Sequence, residues 1–143
     1  DVYYGNSVAS IGVAAHETGH AIQHKNGYVP LIIRNSIVPV GNFGSNASWI
    51  LLLAGFILGI RGLVNLGIIL FTSVVLFQII TLPVELNASK RALRMLEGKN
   101  ILYSGELSGA RSVLSAAAMT YVAAILTSIA NLLRLIYISR DRN

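Results

Sequence analysis

Cysteine is absent from this chain of 143 residues. Disulfides and thiolate metal sites are therefore excluded, and the redox compartment stays open. Charged residues are also scarce: they make up 12% of the sequence, where a soluble domain typically has about 25%. Since 54% of the residues are hydrophobic and are concentrated in blocks, the composition indicates an integral membrane protein.

Acidic residues are few: the sequence has 6 Asp and Glu and 11 Lys and Arg, which gives a net charge of +5. A positive balance can indicate nucleic-acid binding, but here the basic residues flank the apolar blocks and do not form one face. A role of these basic residues in orienting the chain in a membrane explains their distribution better than nucleic-acid binding does. We therefore expect a lipid bilayer as a partner, and no nucleic acid.

A starting methionine is lacking too: the chain begins with Asp1. We expect an excerpt or a processed form of a longer protein, in which residues 2–4 are the end of a strand or an extended segment. The length suits one domain, which we place at residues 1–143.

The first predicted element is a helix over residues 7–25. Ser7 suits the N-cap, and Asn26-Gly27 is a typical stop signal after the last turn. The residues between them are dominated by Ala, Val and Ile, which indicates a helix that is buried on most sides. Its polar residues gather in its second half.

Two apolar blocks follow and predict a transmembrane hairpin that crosses the membrane and returns. Prolines and glycines in residues 28–48 argue against one clean helix there, so we place the two spans at 37–60 and 63–83. A short basic helix at residues 86–96 comes next, and a third span covers 112–138. The predicted fold class is mainly α and integral membrane.

The sequence His16-Glu17-Thr18-Gly19-His20 lies on the first helix and has the spacing of a zinc-peptidase motif. At 3.6 residues per turn the two histidines lie about 40° apart, so both imidazoles can bind one metal ion. Zinc accepts neutral histidine nitrogen and keeps an open position in catalytic sites. Glu17 lies beside the pair, where its carboxylate can take a proton from the attacking water. Gly19, between the ligands, would let another backbone approach.

A third ligand is expected among the acids, and Glu85 stands out because it follows Pro83 at the end of the second hairpin helix. An ionisable group at a membrane boundary is costly unless it is paired, solvated or bound to metal. Topology agrees, since two crossings return the chain to the side of the first helix. The other candidates have simpler explanations. Glu97 would lie on a basic surface helix, and Glu106 would lie at a helix start. His24 would be an interfacial histidine, and Asp141 belongs to the chain's tail.

Several blocks of the sequence resemble the bacterial membrane-bound neutral zinc metallopeptidases, often called YugP-type. The resemblance extends over essentially the whole chain and rests on VYYG at 2–5, GVAAHETGHAIQH at 12–24, LPVELNASKRAL at 82–93 and AAAMTYVAA at 116–124. It implies a zinc metallopeptidase with a further N-terminal membrane segment before this part. The arrangement is also similar to that of gluzincin proteases with a transmembrane hairpin between the two histidines and the glutamate.

One position departs from the gluzincin pattern. Those proteases commonly have an aspartate four residues after the glutamate, where it orients a ligand histidine, and this sequence has Ser89 there. Asn87 is a second polar group nearby. Because the groups behind metal ligands fix their orientation and tune the metal, Ser89 and Asn87 are both candidates for this role.

These features together predict a membrane-embedded zinc-dependent endopeptidase that hydrolyses peptide bonds in membrane-associated or cytoplasmic proteins or peptides. Zn²⁺ would be bound by His16, His20 and Glu85, with Glu17 as the general base. The basic residues near this site place it at the cytoplasmic face of a bacterial membrane. A third full crossing would put Arg134, Arg140 and Arg142 on the other side, so either the positive-inside rule is broken there or the last helix lies partly along the interface. The alternative is a non-catalytic membrane scaffold or adaptor with a structural metal site, and the intact Glu17 argues against it.

Overall fold

The computed structural model describes residues 5–141, and within this range the chain forms four α-helices and no strand. The mainly α fold class is confirmed. The extended segment expected at residues 2–4 lies outside the described residues. The helices are α1 (Val8–Lys25), α2 (Val29–Leu58), α3 (Arg61–Gly98) and α4 (Ser104–Asp141).

Helix α1 begins and ends where the sequence predicts. The Ser7 hydroxyl accepts a hydrogen bond from the Ser10 amide at 3.1 Å, as an N-cap does. At the other end Gly27 has a φ of 60°, which glycine adopts at little cost. The Tyr28 amide donates to the Gln23 carbonyl at 2.9 Å, so the helix ends in a Schellman motif.

Helix α2 is longer than predicted, because it begins at Val29 and continues through Pro39. Pro30 lies in the first turn, where a missing amide hydrogen costs no intrahelical bond. Pro39 removes one such bond in the interior, but apolar membrane-type helices tolerate this loss. The proline and glycine residues of 28–48 therefore do not interrupt the helix.

The basic segment predicted as a separate short helix is the last part of α3. This helix continues through Pro83 to Gly98 without a break. The residues between them are mostly good helix formers and include no stop signal, so the helix resumes its bonding one turn after the proline. The second span and the basic segment are consequently one element.

Helix α4 begins at Ser104, one of the two starts that the sequence offers (Ser104-Gly105 or Ser108), and ahead of the membrane span predicted at 112–138. Glu106 lies in its first turn, where Oε2 accepts a hydrogen bond from the Tyr103 amide at 2.9 Å. The helix reaches Asp141, which the sequence placed in a disordered tail. Helices α2, α3 and α4 are each long and apolar enough to cross a membrane, as the sequence predicts.

The four helices divide into two compact units. The first unit consists of the residues up to Ile33 together with Thr81–Val122, and it contains α1, the end of α3 and the start of α4. The second unit consists of Arg34–Ile80 together with the residues from Ala123 onward.

In the second unit, α2 and α3 form the predicted hairpin. Trp49 and Phe71 pack edge to face, with ring centroids 6.0 Å apart. Near the hairpin tip, Arg61 and Ser139 line one cavity of about 380 Å³. The C-terminal end of α4 therefore lies beside the hairpin tip.

In the first unit, small and aliphatic side chains from three helices form an apolar core. Alanine is frequent there, which permits close approach between helices. Gly12 of α1 lies in ordinary contact with α4, because a Cβ added to it would be 3.8 Å from Ala110 Cβ. The core residues are Ala15, Ala92, Leu96, Leu102, Ala110 and Leu114.

Helix α1 packs closely against α3 at Gly19 and Ala88. A Cβ added to Gly19 would overlap the Ala88 carbonyl oxygen and would lie 2.9 Å from its carbonyl carbon. Both atoms belong to the backbone, so no rotamer change can relieve the overlap. Gly19 therefore allows the two helices to approach, as the sequence predicts for this position.

We expect Gly19→Ala to lower the free energy of unfolding by about 3 kcal/mol, because the helices must separate to admit the methyl group. Gly12→Ala is the matched control on the same helix, and its effect should stay within about 1 kcal/mol of zero, since alanine favours helix. Thermal unfolding of the detergent-purified proteins, followed by circular dichroism, measures both. Equal stability of the two variants would contradict a backbone contact at Gly19.

Candidate metal centre

The structure brings His16, His20 and Glu85 together in the first unit. Each offers one donor atom, and these atoms all lie within 4.8 Å of one another. Oε2 of Glu85 is 3.0 Å from Nε2 of His16 and 3.4 Å from Nε2 of His20. Two imidazole nitrogens thus converge on one carboxylate oxygen, in the arrangement that a shared metal ion needs.

The helix crossing explains why these side chains meet. His16 and His20 are one turn apart on α1, and Gly19 lies between them. Glu85 lies one turn before Ala88 on α3, so the Gly19 contact places its carboxylate opposite the two rings. The rings are edge to face, with centroids 4.7 Å apart.

Burial differs across the cluster. The side chain of Glu85 is 9% exposed, whereas the side chains of His16 and His20 are 17% and 19% exposed. A buried carboxylate requires compensation by hydrogen bonds or positive charge. The two histidine side chains are more exposed than the carboxylate that they face.

Ser89 orients the ring of His16. Its Oγ lies 2.9 Å from His16 Nδ1, one helical turn after Glu85. This is the position where the gluzincin pattern has aspartate, and serine forms the contact there with a neutral hydroxyl. The hydrogen bonds of Asn87 go to Gln23 and Arg91 and not to a histidine, so the structure distinguishes the two candidates.

Gln23 contacts the ring of His20, a partnership that sequence reasoning missed. Its Oε1 lies 2.9 Å from His20 Nδ1, and its side chain is fully buried. Its Nε2 donates to the Val84 carbonyl at 2.8 Å and to Asn87 Oδ1 at 3.0 Å. The available sequence signal was a polar residue three positions after a ligand on a mostly apolar helix.

Glu17 is exposed on α1 and is not one of the three converging donors. It directly follows His16, so it lies beside the cluster and not within it. The four residues that the sequence set aside are also outside the cluster: His24 is exposed, Glu106 is at the start of α4, and Glu97 and Asp141 are exposed.

The donor set fits zinc. Two histidine nitrogens and one carboxylate oxygen are the ligands of one common class of catalytic zinc site, which leaves a fourth position open. The Nδ1 atoms of both histidines contact protein partners, and both Nε2 atoms face Glu85. Each ring is thus held with Nε2 directed at the common point.

An HExxH helix meets a glutamate from a later helix, and this donor set and spacing are those that zinc metallopeptidases use. Residues 1–140 match the family described as "Putative neutral zinc metallopeptidase", and the chain belongs to this family. The resemblance inferred from the motifs is thereby confirmed.

A relative from Bacillus subtilis (strain 168), described as "Putative membrane protease YugP", is 50% identical to this chain over 145 residues. The alignment covers 99% of this chain and 64% of the relative, so the chain spans less than two thirds of that protein's length. No solved structure matches the chain significantly.

We expect His20→Ala and Glu85→Ala to abolish stoichiometric zinc binding, because each removes one of three donors. His24→Ala is the matched control, since it removes an exposed histidine one turn beyond His20 and should leave about one zinc per chain. Metal content of the purified proteins by mass spectrometry decides this. Full zinc content in Glu85→Ala would remove Glu85 from the ligand set.

Proposed function

We propose that this chain is the metal-binding part of a membrane-embedded, gluzincin-type zinc endopeptidase. In this proposal His16, His20 and Glu85 hold Zn²⁺, and Glu17 is the general base. The convergence of two histidine nitrogens on Glu85 Oε2, with Glu17 adjacent, is the observation on which the proposal depends. The family supports zinc and peptidase chemistry in general terms.

When bound, zinc supplies a Lewis acid that polarises the scissile carbonyl and acidifies water. Glu17 accepts the proton of the attacking water and delivers it to the leaving amine. Its exposure allows both partners to reach the carboxylate. Ser89 and Gln23 keep the two rings directed at the common point while this occurs.

The proposed substrates are membrane-associated or cytoplasmic proteins or peptides. Three helices of membrane length support a site held close to a bilayer, and the description of the Bacillus relative as a "Putative membrane protease" agrees with it. Glu17 places a carboxylate beside the ligands, and a scaffold that only retained the metal would not need one.

We further propose that the site faces the cytoplasm of a bacterial cell. The hairpin tip has Arg61, and Arg140 lies at the adjoining end of α4. The polar segments near the metal centre have more basic residues, which favours the cytoplasmic side under the positive-inside rule. The basic residues near the centre are Lys25, Lys90, Arg91, Arg94, Lys99 and Arg111.

Because the chain has no cysteine, Arg61→Cys creates a unique thiol at the hairpin tip. Labelling of this thiol only after the cells are broken would contradict this orientation.

We expect Glu17→Gln to keep its zinc and to lower the rate of peptide hydrolysis by about 10²–10⁴-fold, because glutamine cannot accept the proton. The measurements are zinc content and cleavage of fluorescence-quenched casein and of a fluorescence-quenched peptide mixture by protein in lipid nanodiscs. His24→Gln is the control and should retain hydrolysis.

Two results would contradict the proposal. Full hydrolysis by Glu17→Gln would remove Glu17 as the base. If the zinc-loaded protein without substitutions cleaves neither substrate, the result would favour the non-catalytic scaffold or adaptor.

A further inference from the structure

We propose that Gln23 is the positioning residue of His20, and that Arg91 determines the orientation of Gln23 through Asn87. Together these side chains present His20 to the metal as the neutral tautomer with its proton on Nδ1. The inference rests on the zinc site of the proposed function, but it concerns metal affinity and not hydrolysis. All four residues lie in the first unit.

The argument begins at Arg91. Its Nε donates to Asn87 Oδ1 at 2.7 Å, and its guanidinium lies over the Tyr28 ring, 5.5 Å from the centroid. Arginine is always protonated and has no acceptor atom. The Asn87 atom that faces it must therefore be the oxygen, which fixes the orientation of the Asn87 amide.

Asn87 in turn fixes Gln23. Oδ1 of Asn87 has a second lone pair, and Gln23 Nε2 donates to it at 3.0 Å. Gln23 Nε2 also donates to the Val84 carbonyl at 2.8 Å, and a carbonyl can only accept. Two acceptors thus face the amide nitrogen, so Gln23 cannot rotate its amide without opposing two pairs of oxygen atoms.

Gln23 then determines the proton position of His20. With its nitrogen committed to two acceptors, Gln23 presents Oε1 to His20 Nδ1 at 2.9 Å. Oε1 can only accept, so Nδ1 carries the hydrogen. The lone pair of the neutral ring is consequently on Nε2, the atom directed at Glu85 Oε2.

The same contacts join the two helices that provide the metal ligands. Val84 and Asn87 lie on α3 on either side of Glu85, and Gln23 lies on α1 one turn after His20. Gln23 is fully buried, so its bonds do not compete with solvent. One amide therefore fixes both the ring of His20 and its position relative to Glu85.

His16 differs in this respect. Its partner Ser89 offers a hydroxyl, which rotates and can donate or accept. Ser89 therefore tolerates either tautomer of His16, whereas Gln23 permits one tautomer of His20. The consequence is a testable asymmetry: removal of the Gln23 amide should weaken metal binding more than removal of the Ser89 hydroxyl.

Gln23→Met tests this because methionine has a similar length and no amide. Asn87 Oδ1 keeps its bond from Arg91, and the Val84 carbonyl remains in the α3 ladder, so the change leaves few new unsatisfied groups. We expect the zinc dissociation constant, measured by chelator competition, to rise roughly 10–100-fold. We also expect altered ligand-field absorption bands in the Co²⁺-loaded protein. Ser89→Ala should have a smaller effect, and His24→Leu none.

Asn87→Ala is the second variant, because it leaves α1 unchanged and removes one of the two acceptors that orient Gln23, together with the acceptor of Arg91 Nε. It should raise the dissociation constant in the same direction by a smaller factor. Thermal unfolding of the metal-free proteins separates positioning from folding, and positioning predicts little change in Asn87→Ala.

Unchanged zinc affinity and an unchanged Co²⁺ spectrum in Gln23→Met would overturn the proposal, as would an effect no larger than that of Ser89→Ala. Weakened affinity in both Gln23→Met and Asn87→Ala would support it, even if no peptide is cleaved. Failure of the proposed peptidase function is thus distinguishable from failure of this inference.

Discussion

The approach of α1 to α3 at Gly19 and Ala88 is the constraint on which the metal centre depends. A side chain at Gly19 would meet backbone atoms of α3, so only glycine permits this separation between the helices. His16 and His20 are on one helix and Glu85 is on the other. Any increase in the separation moves the carboxylate away from both rings, because rigid helices carry their side chains with them.

Electrostatics make this geometry stable and useful. A carboxylate whose side chain is 9% exposed, in a fold of membrane-length helices, requires hydrogen bonds or cations near it. Glu85 has both imidazoles within 3.4 Å. The partners behind those imidazoles, Ser89 and Gln23, are neutral. A divalent ion held by a single carboxylate would therefore remain net positive, which strengthens its effect on a bound carbonyl.

Much of this arrangement follows from local sequence signals, but not all of it. Ser7 and Gly27 mark the ends of α1 because caps act on adjacent residues, and i, i+4 spacing alone places the two histidines on one face. The extent of α2 and α3 was not predictable, since whether a helix continues through Pro39 or Pro83 depends on its surroundings. Gln23 was missed because its role comes from contacts with α3, which no periodicity reports.

The most direct test of the central claim is X-ray absorption at the zinc edge of the purified, zinc-loaded protein. A centre formed by the helix crossing predicts two imidazole nitrogens at about 2.0–2.1 Å, with oxygen donors completing a four-coordinate shell. The multiple-scattering pattern of the rings counts them. Scattering from one imidazole, or from three, would contradict a site formed by His16, His20 and Glu85.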